Sequence, residues 1–419
     1  MGYSAAAVRG ATARRSLQTA GLQRPSAAEQ GTAPIRRHRP DYMLMILTVA
    51  LLAIGITVIY AISPALAVGK HVGQNYFVGR QLMAIALGLV MFVAAAKIPF
   101  RVWRQLYPTL LVIAGLATLI ALVLPVSANY PAHRWIRLGS LSFQSVELLK
   151  LALLIWLADF LARRVRDGTI ADTQKTLKPI VFVVLAVGLV VAGVQSDLGS
   201  TGVIVTMMGG MAFMAGLPMK RLMLIAGIIV LGTVLAVSAI PYRRERLLTF
   251  LHPEANCLTT GWQACQALIA VGSGGPVGLG LGRSVQAYGY LPEAENDAIF
   301  AIYAEKFGFV GVTILLALFV AFFARLKRIV DRAPDNFSRL VAAGILVWLA
   351  TQAFVNIGAM IGLLPLKGIT LPLISYGGSS VLLTLAALGL VFQISRYTKY
   401  VTGAGNNGGG YADSRNGRR

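Results

Sequence analysis

Long runs of apolar residues alternate with short polar stretches along most of the chain. Ten of these runs have roughly the length that a helix needs to cross a bilayer. Asp41 and Ser200 are suitable N-caps for the first and the sixth of them. The pattern therefore predicts an all-α polytopic membrane protein with ten transmembrane helices, at about 42–62, 81–98, 106–124, 146–164, 179–195, 200–216, 221–241, 298–324, 338–363 and 376–395.

Basic residues are concentrated in alternate connections, and this predicts the orientation of the helices. Lys and Arg accumulate on the cytoplasmic side of a membrane, so both termini are predicted to be cytoplasmic. The outward connections are then 125–145, 242–297 and 364–375, and 242–297 is the longest. Loops of that length are usually functional. The basic connections are the N-terminal tail, 97–105, 163–178, 217–221 and 325–339.

Composition supports a membrane protein and argues against other classes. The chain is 56% hydrophobic and 13% charged, with a mean hydropathy of +0.70, which is too apolar for a soluble domain. The net charge of +22 does not indicate nucleic-acid binding, because the basic residues lie in tails and short loops without interleaved aromatic residues. We expect them to contact anionic membrane lipids. Flexible cytoplasmic tails are predicted at 1–40 and 401–419, around a membrane domain at 41–400.

Three carboxylates lie close together in the stretch YLPEAENDAIFAIYAEKFG. The predicted topology places Glu293, Glu295 and Asp297 at the outer surface, where none of them needs to be buried. Asp favours the start of a helix, so Asp297 is a candidate N-cap. Helical spacing would place Glu305 two turns further on, about 12 Å away. Glu305 either forms a structural pair with the neighbouring Lys306 or faces a cavity.

Other ionisable residues each have two interpretations. Glu147 and Lys150 are spaced i, i+3 at the outer end of the fourth span. There they form a helix-packing ion pair or take part directly in function. The arginines of YRRERLLTFLHP and Lys367 carry positive charge on the outer face, where they bind a diphosphate or contact lipid headgroups.

Both cysteines, Cys257 and Cys265, lie in the outward loop 242–297. The outer compartment permits a disulfide, and a separation of eight residues allows one. Two free thiols are an equal alternative.

The run GSGGPVGLGLG has six glycines in eleven residues. No βαβ unit surrounds it, so it does not indicate a dinucleotide site. We expect tight turns or a close approach of the backbone to a bulky ligand. The chain has no Walker-type loop, HExxH, CxxC or GxSxG motif, and its four scattered histidines do not indicate a His-based metal site.

Several long motifs, in the same order, resemble signature stretches of the shape, elongation, division and sporulation (SEDS) family. The similarity extends over about 42–400. The sequences LPEA and LPLKGITLPLISYGGSS resemble those of the division member of the family more closely than those of the elongation member. The motifs are GLLPLKGITLPLISYGGSS (362–380), YLPEAENDAIFAIYAEKFGFVG (290–311), WIRLGSLSFQSVELLKL (135–151), QSDLGS (195–200) and YRRERLLTFLHP (242–253).

The resemblance implies the family's ten-span fold and its activity, the polymerisation of peptidoglycan glycan strands from lipid II. Lipid II is an undecaprenyl-diphosphate-linked disaccharide peptide. The family's catalytic aspartate corresponds to Asp297, which we expect to act as general base in an inverting glycosyl transfer. Matching positions expected to bind the diphosphate or the sugars are Arg243, Arg246, Lys367, Gln263, Gln266, Ser284, Gln286 and Glu293. Residues expected to support the site are Glu147, Lys150, Asp197 and Glu305.

The chain departs from the family pattern in places. A His-Thr pair that is common before the aspartate is Glu295-Asn296 here, so the local electrostatics are expected to differ. The usual QPSE reads QSVE and loses a proline, and the usual DLGT reads DLGS, which keeps a hydroxyl.

The resemblance also implies partners and a location. These are a class B penicillin-binding protein transpeptidase, other division proteins and the bacterial inner membrane at the division septum. The departing diphosphate needs stabilising charge, so a divalent cation such as Mg²⁺ or Mn²⁺ is a candidate cofactor. Two other functions stay open. One is a transporter that flips the lipid-linked precursor, which Glu147, Lys150 and Glu305 could serve; the other is a non-catalytic division scaffold.

Overall fold

The computed structural model describes residues 35–37, 39–124, 134–138, 141–238, 250, 257–259 and 261–399. Within these residues the chain forms eleven α-helices and four short strands. The helices are α1 Tyr42–Lys70, α2 Tyr76–Lys97, α3 Phe100–Val123, α4 Ser145–Arg166, α5 Lys178–Val187, α6 Leu198–Met214, α7 Met219–Ser238, α8 Trp262–Ser273, α9 Ile299–Arg332, α10 Asn336–Met360 and α11 Gly378–Ile394. The strands are β1 Ile35–Arg37, β2 Trp135–Leu138, β3 Leu141–Gln144 and β4 Tyr397–Lys399.

A helix occurs at each of the ten segments predicted from the apolar pattern, and α8 is an additional helix in the long connection. Helix α5 is continued at both ends by π-helical turns, so the helical run there is Thr173–Val194. This multi-pass membrane protein has, in its described part, six helical runs that are long and apolar enough to cross a membrane. They are α1, α2, α3, Thr173–Val194, α9 and α10.

The described residues are mostly helical, as predicted, and β2 and β3 form a short antiparallel hairpin in which Trp135 is opposite Gln144. One detail of the prediction is wrong. Ser200 is not the N-cap of α6. The helix begins at Leu198, and its N-cap is Asp197. The Asp197 carboxylate accepts hydrogen bonds from the Ser200 backbone N–H and hydroxyl, at 3.0 and 2.9 Å. The N-cap at Asp41 is confirmed, with its carboxylate accepting from Leu44 N–H at 3.2 Å.

Small residues bring several of the helices close together. A Cβ at Gly389 of α11 would lie 2.4 Å from the Phe92 carbonyl oxygen of α2, so the backbones of these two helices approach each other closely. A Cβ at Gly344 of α10 would lie 2.7 Å from Met211 of α6 and 2.9 Å from Leu154 of α4. Close packing of small residues is a main source of helix association in a bilayer. Helix α10 is thereby fixed among its neighbours.

Glycines also explain how the loop before the acidic stretch packs on α9. Gly308 interrupts the helical geometry of α9 with φ 62° and ψ −164°. The loop inserts there: Gly275 and Pro276 accept hydrogen bonds from Phe309 and Val310 N–H, at 2.9 and 3.0 Å. The glycine-rich run therefore packs against this chain's own backbone.

We expect Gly278→Ala to destabilise the protein more than Gly280→Ala. Both glycines have a positive φ, 83° and 85°, so the backbone strain of an added Cβ is similar. At Gly278 the Cβ would also lie 2.1 Å from the Lys306 carbonyl oxygen, whereas at Gly280 no described atom lies within 4 Å. Unfolding in detergent, followed by circular dichroism, should show an additional loss of about 1–3 kcal/mol for Gly278→Ala. Equal losses would contradict this packing.

Candidate active site

Asp297 lies in a turn just before α9 rather than in the helix. The turn begins at Glu293, which has a positive φ of 51°. The Glu293 carbonyl accepts hydrogen bonds from Asn296 and Ala298 N–H, at 3.0 and 3.2 Å. Helix α9 begins at Ile299, its N-cap is Ala298, and no side chain caps it. The prediction that Asp297 is the N-cap is therefore wrong, and its carboxylate is not used to terminate the helix.

The backbone of this turn is held by the end of α10 and the loop that follows it. The carbonyl oxygen of Asp297 accepts from Asn356 Nδ2 at 2.6 Å, and that of Asn296 accepts from Ser375 Oγ at 2.6 Å. The carbonyl of Glu295 accepts from the backbone N–H of Tyr376 at 2.8 Å. Three successive carbonyls are thus fixed by residues that are distant in sequence. This arrangement positions the Asp297 side chain without involving it.

The Asp297 side chain is partly exposed to solvent and partly desolvated. The residue is partly exposed, yet its Oδ1 is buried and has no hydrogen-bond partner among the described residues. Burial and, to a smaller extent, the negative charges of Glu293 and Glu295 raise the pKa of Asp297 to about 7. Hydrogen bonds from its own backbone N–H and from the Gln263 side chain lower the pKa and offset part of this rise. A carboxylate with a pKa near 7 is suited to accept a proton at neutral pH.

The expectation that the three carboxylates need not be buried is wrong for Glu295. Its side chain is 2% exposed and forms an ion pair with Lys70 at the end of α1. The Lys70 Nζ also lies 5.2 Å from the centre of the Phe77 ring. Glu293, by contrast, is exposed, and its carboxylate accepts from the Asn296 side chain. A buried carboxylate needs a cationic or hydrogen-bonding partner, which Lys70 supplies.

Glu305 organises the loop that carries two of the predicted substrate-binding residues. Its Oε1 accepts from Val285 and Gln286 N–H, at 2.8 and 3.2 Å, and its Oε2 accepts from Ser284 Oγ at 2.5 Å. Lys306 does not pair with it but donates to the Leu281 carbonyl at 2.7 Å. Glu305 is thus a structural anchor, and its predicted pairing with Lys306 is wrong.

The two predicted binding residues of this loop are mostly enclosed. Ser284 is 4% exposed and Gln286 is 7% exposed. Gln286 Oε1 has no partner among the described residues, whereas the Ser284 hydroxyl is used by Glu305. A direct role of either residue in binding stays a prediction.

Helix α8 brings Gln263 to the candidate base. Cys265 of this helix forms a disulfide with Cys257, which decides the alternative that the sequence left open. Gln266, one turn further along α8, is buried with 9% exposure. Arg243 and Arg246 lie outside the described residues.

Lys367 lies in the loop that is attached to the Asp297 turn. Asn356 Nδ2 donates both to the Asp297 carbonyl and to the Ile369 carbonyl, at 2.6 and 2.7 Å. A Cβ added to Gly368 would be 3.8 Å from Asp297 Oδ2, so this backbone passes beside the carboxylate. On its other side the loop packs on α6, where Gly199 faces Lys367 Cβ. The cation and the candidate base therefore belong to neighbouring segments.

Glu147 and Lys150 pair inside the bundle, as their spacing indicates. Lys150 Nζ lies 2.7 Å from Glu147 Oε1, and both side chains are at most 4% exposed. Lys150 Nζ also lies 5.0 Å from the centre of the Trp348 ring in α10. The pair joins α4 to α10 through a cation–π contact, and a buried pair of this kind is destabilising to break.

One carboxylate oxygen at this site is available to coordinate a divalent cation. Among the described residues, no group of three or more His, Cys, Asp or Glu side chains could hold a metal ion. Asp297 Oδ1 is an oxygen without a partner, and Mg²⁺ is often held by one or two carboxylates together with substrate phosphates. The residues present are compatible with a cation that arrives with a diphosphate substrate.

The sequence reasoning missed Asn356, Ser375 and Lys70, which support the Asp297 turn. Asn356 is 1% exposed within an otherwise apolar span, and a polar residue inside a membrane span is a signal that could have identified it. Lys70 ends α1 with no acidic residue near it in sequence, so its partner Glu295, 225 residues away, could not be found from spacing.

Comparisons with known proteins agree with this fold. The model of the FtsW/RodA/SpoVE family, described as "Cell cycle protein", matches residues 42–400. The probable peptidoglycan glycosyltransferase FtsW of Saccharophagus degradans is 38% identical over 362 residues, which cover 85% of this chain and 92% of the relative. Stage V sporulation protein E of Bacillus subtilis is 36% identical over 87% of this chain and 99% of its own length.

A solved structure supports the same assignment. It concerns the structural coordination of polymerization and crosslinking by a peptidoglycan synthase complex. One of its chains is 31% identical to this one, with a TM-score of 0.71, and the match covers 85% of this chain and 98% of that chain. This chain belongs to the FtsW/RodA/SpoVE family of cell cycle proteins.

Proposed function

We propose that this protein is a peptidoglycan glycosyltransferase that polymerises glycan strands from lipid II at the outer face of the bacterial inner membrane. Membership of the family and the names of its relatives support the activity. The single observation that carries the mechanism is the Asp297 carboxylate. It is partly exposed, its buried Oδ1 has no hydrogen-bond partner among the described residues, and its pKa is raised to about 7. Lipid II fits a site at the membrane boundary because its sugars are held there by its lipid.

Asp297 acts as general base in this proposal. The 4-hydroxyl of the acceptor sugar loses a proton to the Asp297 carboxylate while its oxygen attacks the anomeric carbon of the donor chain. The bond from that carbon to the diphosphate breaks, and attack from the opposite side inverts the anomeric centre. Proton transfer to a positioned carboxylate typically contributes about 10²–10⁴-fold to the rate. The fixed backbone of the turn holds this carboxylate in place.

The negative charge of the departing diphosphate requires compensation. Lys367 is the described cation whose loop passes beside Asp297. Arg243 and Arg246 are proposed to contribute by the family resemblance. Asp297 is the described residue that would hold a Mg²⁺ or Mn²⁺ ion, and such an ion would supply further electrostatic stabilisation of the departing charge. Gln263, Gln266, Ser284, Gln286 and Glu293 are the proposed sugar-facing or loop-forming residues.

The topology and the partners are part of the same proposal. Ten spans with both termini in the cytoplasm agree with the ten helical segments and the distribution of basic residues. A class B penicillin-binding protein is the proposed partner, because a relative of known structure belongs to a complex that couples polymerization and crosslinking. Residence at the division septum, with other division proteins, follows from the resemblance to the division member.

Asp297→Asn should abolish polymerisation while the protein stays folded. The amide cannot accept the proton, and we expect a loss of about 10²-fold or more. Purified protein, with its transpeptidase partner, is incubated with labelled lipid II, and the glycan products are separated on a gel. Asp331→Asn is the matched control, because Asp331 is exposed and its ion pair with Lys327 lies far along α9. Full activity of Asp297→Asn would exclude Asp297 as the general base.

Lys70→Gln should reduce polymerisation by about tenfold or more, because it leaves the buried Glu295 carboxylate without its cation and displaces the turn. The double variant Lys70→Gln/Glu295→Gln should recover much of the activity, since it removes the uncompensated charge as well. The same gel assay and a melting curve measure both effects, and Lys327→Gln is the control. A double variant no more active than Lys70→Gln would show that the pair does not position the turn.

A further inference from the structure

A basic pocket lies at the end of the bundle opposite to the proposed entry of lipid II, between the start of α3 and the end of α4. Its volume is about 240 Å³. The lining residues are Tyr107, Trp156, Phe160, Arg163, Arg164 and Asp167. None of these residues takes part in the proposed mechanism. The pocket combines aromatic walls with guanidinium groups, which is a composition suited to a phosphate on an apolar carrier.

Arg164 is the residue in this pocket that lacks a partner. It makes no hydrogen bond or ion pair with any residue that the structure describes, and its Nε is buried. Its guanidinium carbon lies 4.9 Å from the centre of the Phe160 ring. Phe160 in turn stacks on Trp156, with ring centres 5.6 Å apart and planes at 20°. The Arg164 guanidinium is therefore oriented by the Phe160 ring, and its N–H groups donate no hydrogen bond to the described residues.

The neighbouring charges leave the pocket positive. Asp159 is 1% exposed and is shared by Arg104 and Arg163. Asp167 pairs with Arg166 at 3.2 Å. Arg164 also interacts electrostatically with Asp172, which Lys175 partly neutralises, so five cations face three aspartates and the region keeps an excess of positive charge. Arg163 also donates to the Tyr107 hydroxyl at 3.2 Å, which fixes its side chain at the wall of the pocket.

The position of the pocket indicates what kind of anion it would take. Helix α3 exposes apolar side chains beside it, including Leu106, Val112, Ile113 and Leu116, which are 38–61% exposed. This face belongs to a helix that is long and apolar enough to span a membrane. A ligand with a phosphate headgroup and an acyl chain can therefore place the phosphate at the arginines and the chain along α3. Tryptophan and arginine are typical of such an interface.

We infer that the pocket between α3 and α4 binds the phosphate headgroup of an anionic phospholipid through Arg164 and Arg163. The phosphate oxygens accept hydrogen bonds from the Arg164 guanidinium, including its Nε–H. The headgroup is enclosed by Tyr107, Trp156 and Phe160. In the proposed topology this end is cytoplasmic, the side on which anionic lipids attract basic residues. The bound lipid would join α3 and α4 at their ends.

Lipid binding to the full-length protein in detergent tests this inference. Native mass spectrometry gives the affinities for dioleoylphosphatidylglycerol and dioleoylphosphatidylcholine. The wild type should bind the anionic lipid more tightly. Arg164→Gln should reduce that affinity by about tenfold, as expected for the loss of a charge-assisted hydrogen bond. The matched control Arg332→Gln, an exposed arginine at the end of α9, should retain it.

Several outcomes would overturn the inference. Equal affinity for the two lipids, unchanged binding by Arg164→Gln, or an equal loss with Arg332→Gln would exclude a specific site. Full competition by inorganic phosphate would assign the site to a free phosphate instead of a lipid. Tighter binding of a hexaglutamate peptide would assign it to an acidic protein segment. If Arg164→Gln does not fold, Arg164→Lys replaces it. That variant keeps the charge and loses the planar group, and wild-type affinity there would exclude recognition by the guanidinium.

Discussion

The carbonyl oxygens of Glu295, Asn296 and Asp297 accept hydrogen bonds from Tyr376 N–H, Ser375 Oγ and Asn356 Nδ2. These contacts decide where the candidate base lies. A carboxylate that desolvation pushes toward protonation would be more stable if it turned toward water. The anchored backbone places the Asp297 side chain where Oδ1 is enclosed and has no hydrogen-bond partner among the described residues. Burial at this position raises the pKa of Asp297, and the proposed chemistry depends on that placement.

Two further anchors fix the surroundings of the turn from opposite sides. Lys70 neutralises Glu295, so that a second buried carboxylate is tolerated two residues from Asp297. Glu305 holds the backbone of 284–286 through three hydrogen bonds. The glycines at 274–280 let that loop pass against the interrupted part of α9. The acidic residues of this region therefore have different roles. Asp297 is proposed to accept a proton, whereas Glu295 and Glu305 stabilise the surrounding structure.

The helices and several site residues could be predicted from the sequence, whereas the long-range contacts that hold the site together could not. Apolar runs determine where helices form in a bilayer, so all ten segments could be located. The motif at 290–311 identified Asp297, and the i, i+3 spacing identified the Glu147–Lys150 pair. Asn356 and Ser375, however, reach Asp297 and Asn296 across 59 and 79 residues. No local periodicity encodes such contacts. The N-cap assignment failed for the same reason, because tertiary hydrogen bonds displaced Asp297 from the helix.

The most direct test of the central claim is the pH dependence of the polymerisation rate at subsaturating lipid II, that is of kcat/KM, which reports the pKa of the free enzyme. A general base must be deprotonated, and a pKa raised to about 7 means that Asp297 becomes protonated as the pH falls through that value. The rate should therefore be constant at high pH and fall roughly tenfold per pH unit below an inflection near 7. Glu293→Gln should move the inflection to lower pH, because the Glu293 charge raises the pKa of Asp297. A rate that is independent of pH between 5 and 9, or an inflection that Glu293→Gln leaves in place, would contradict the account.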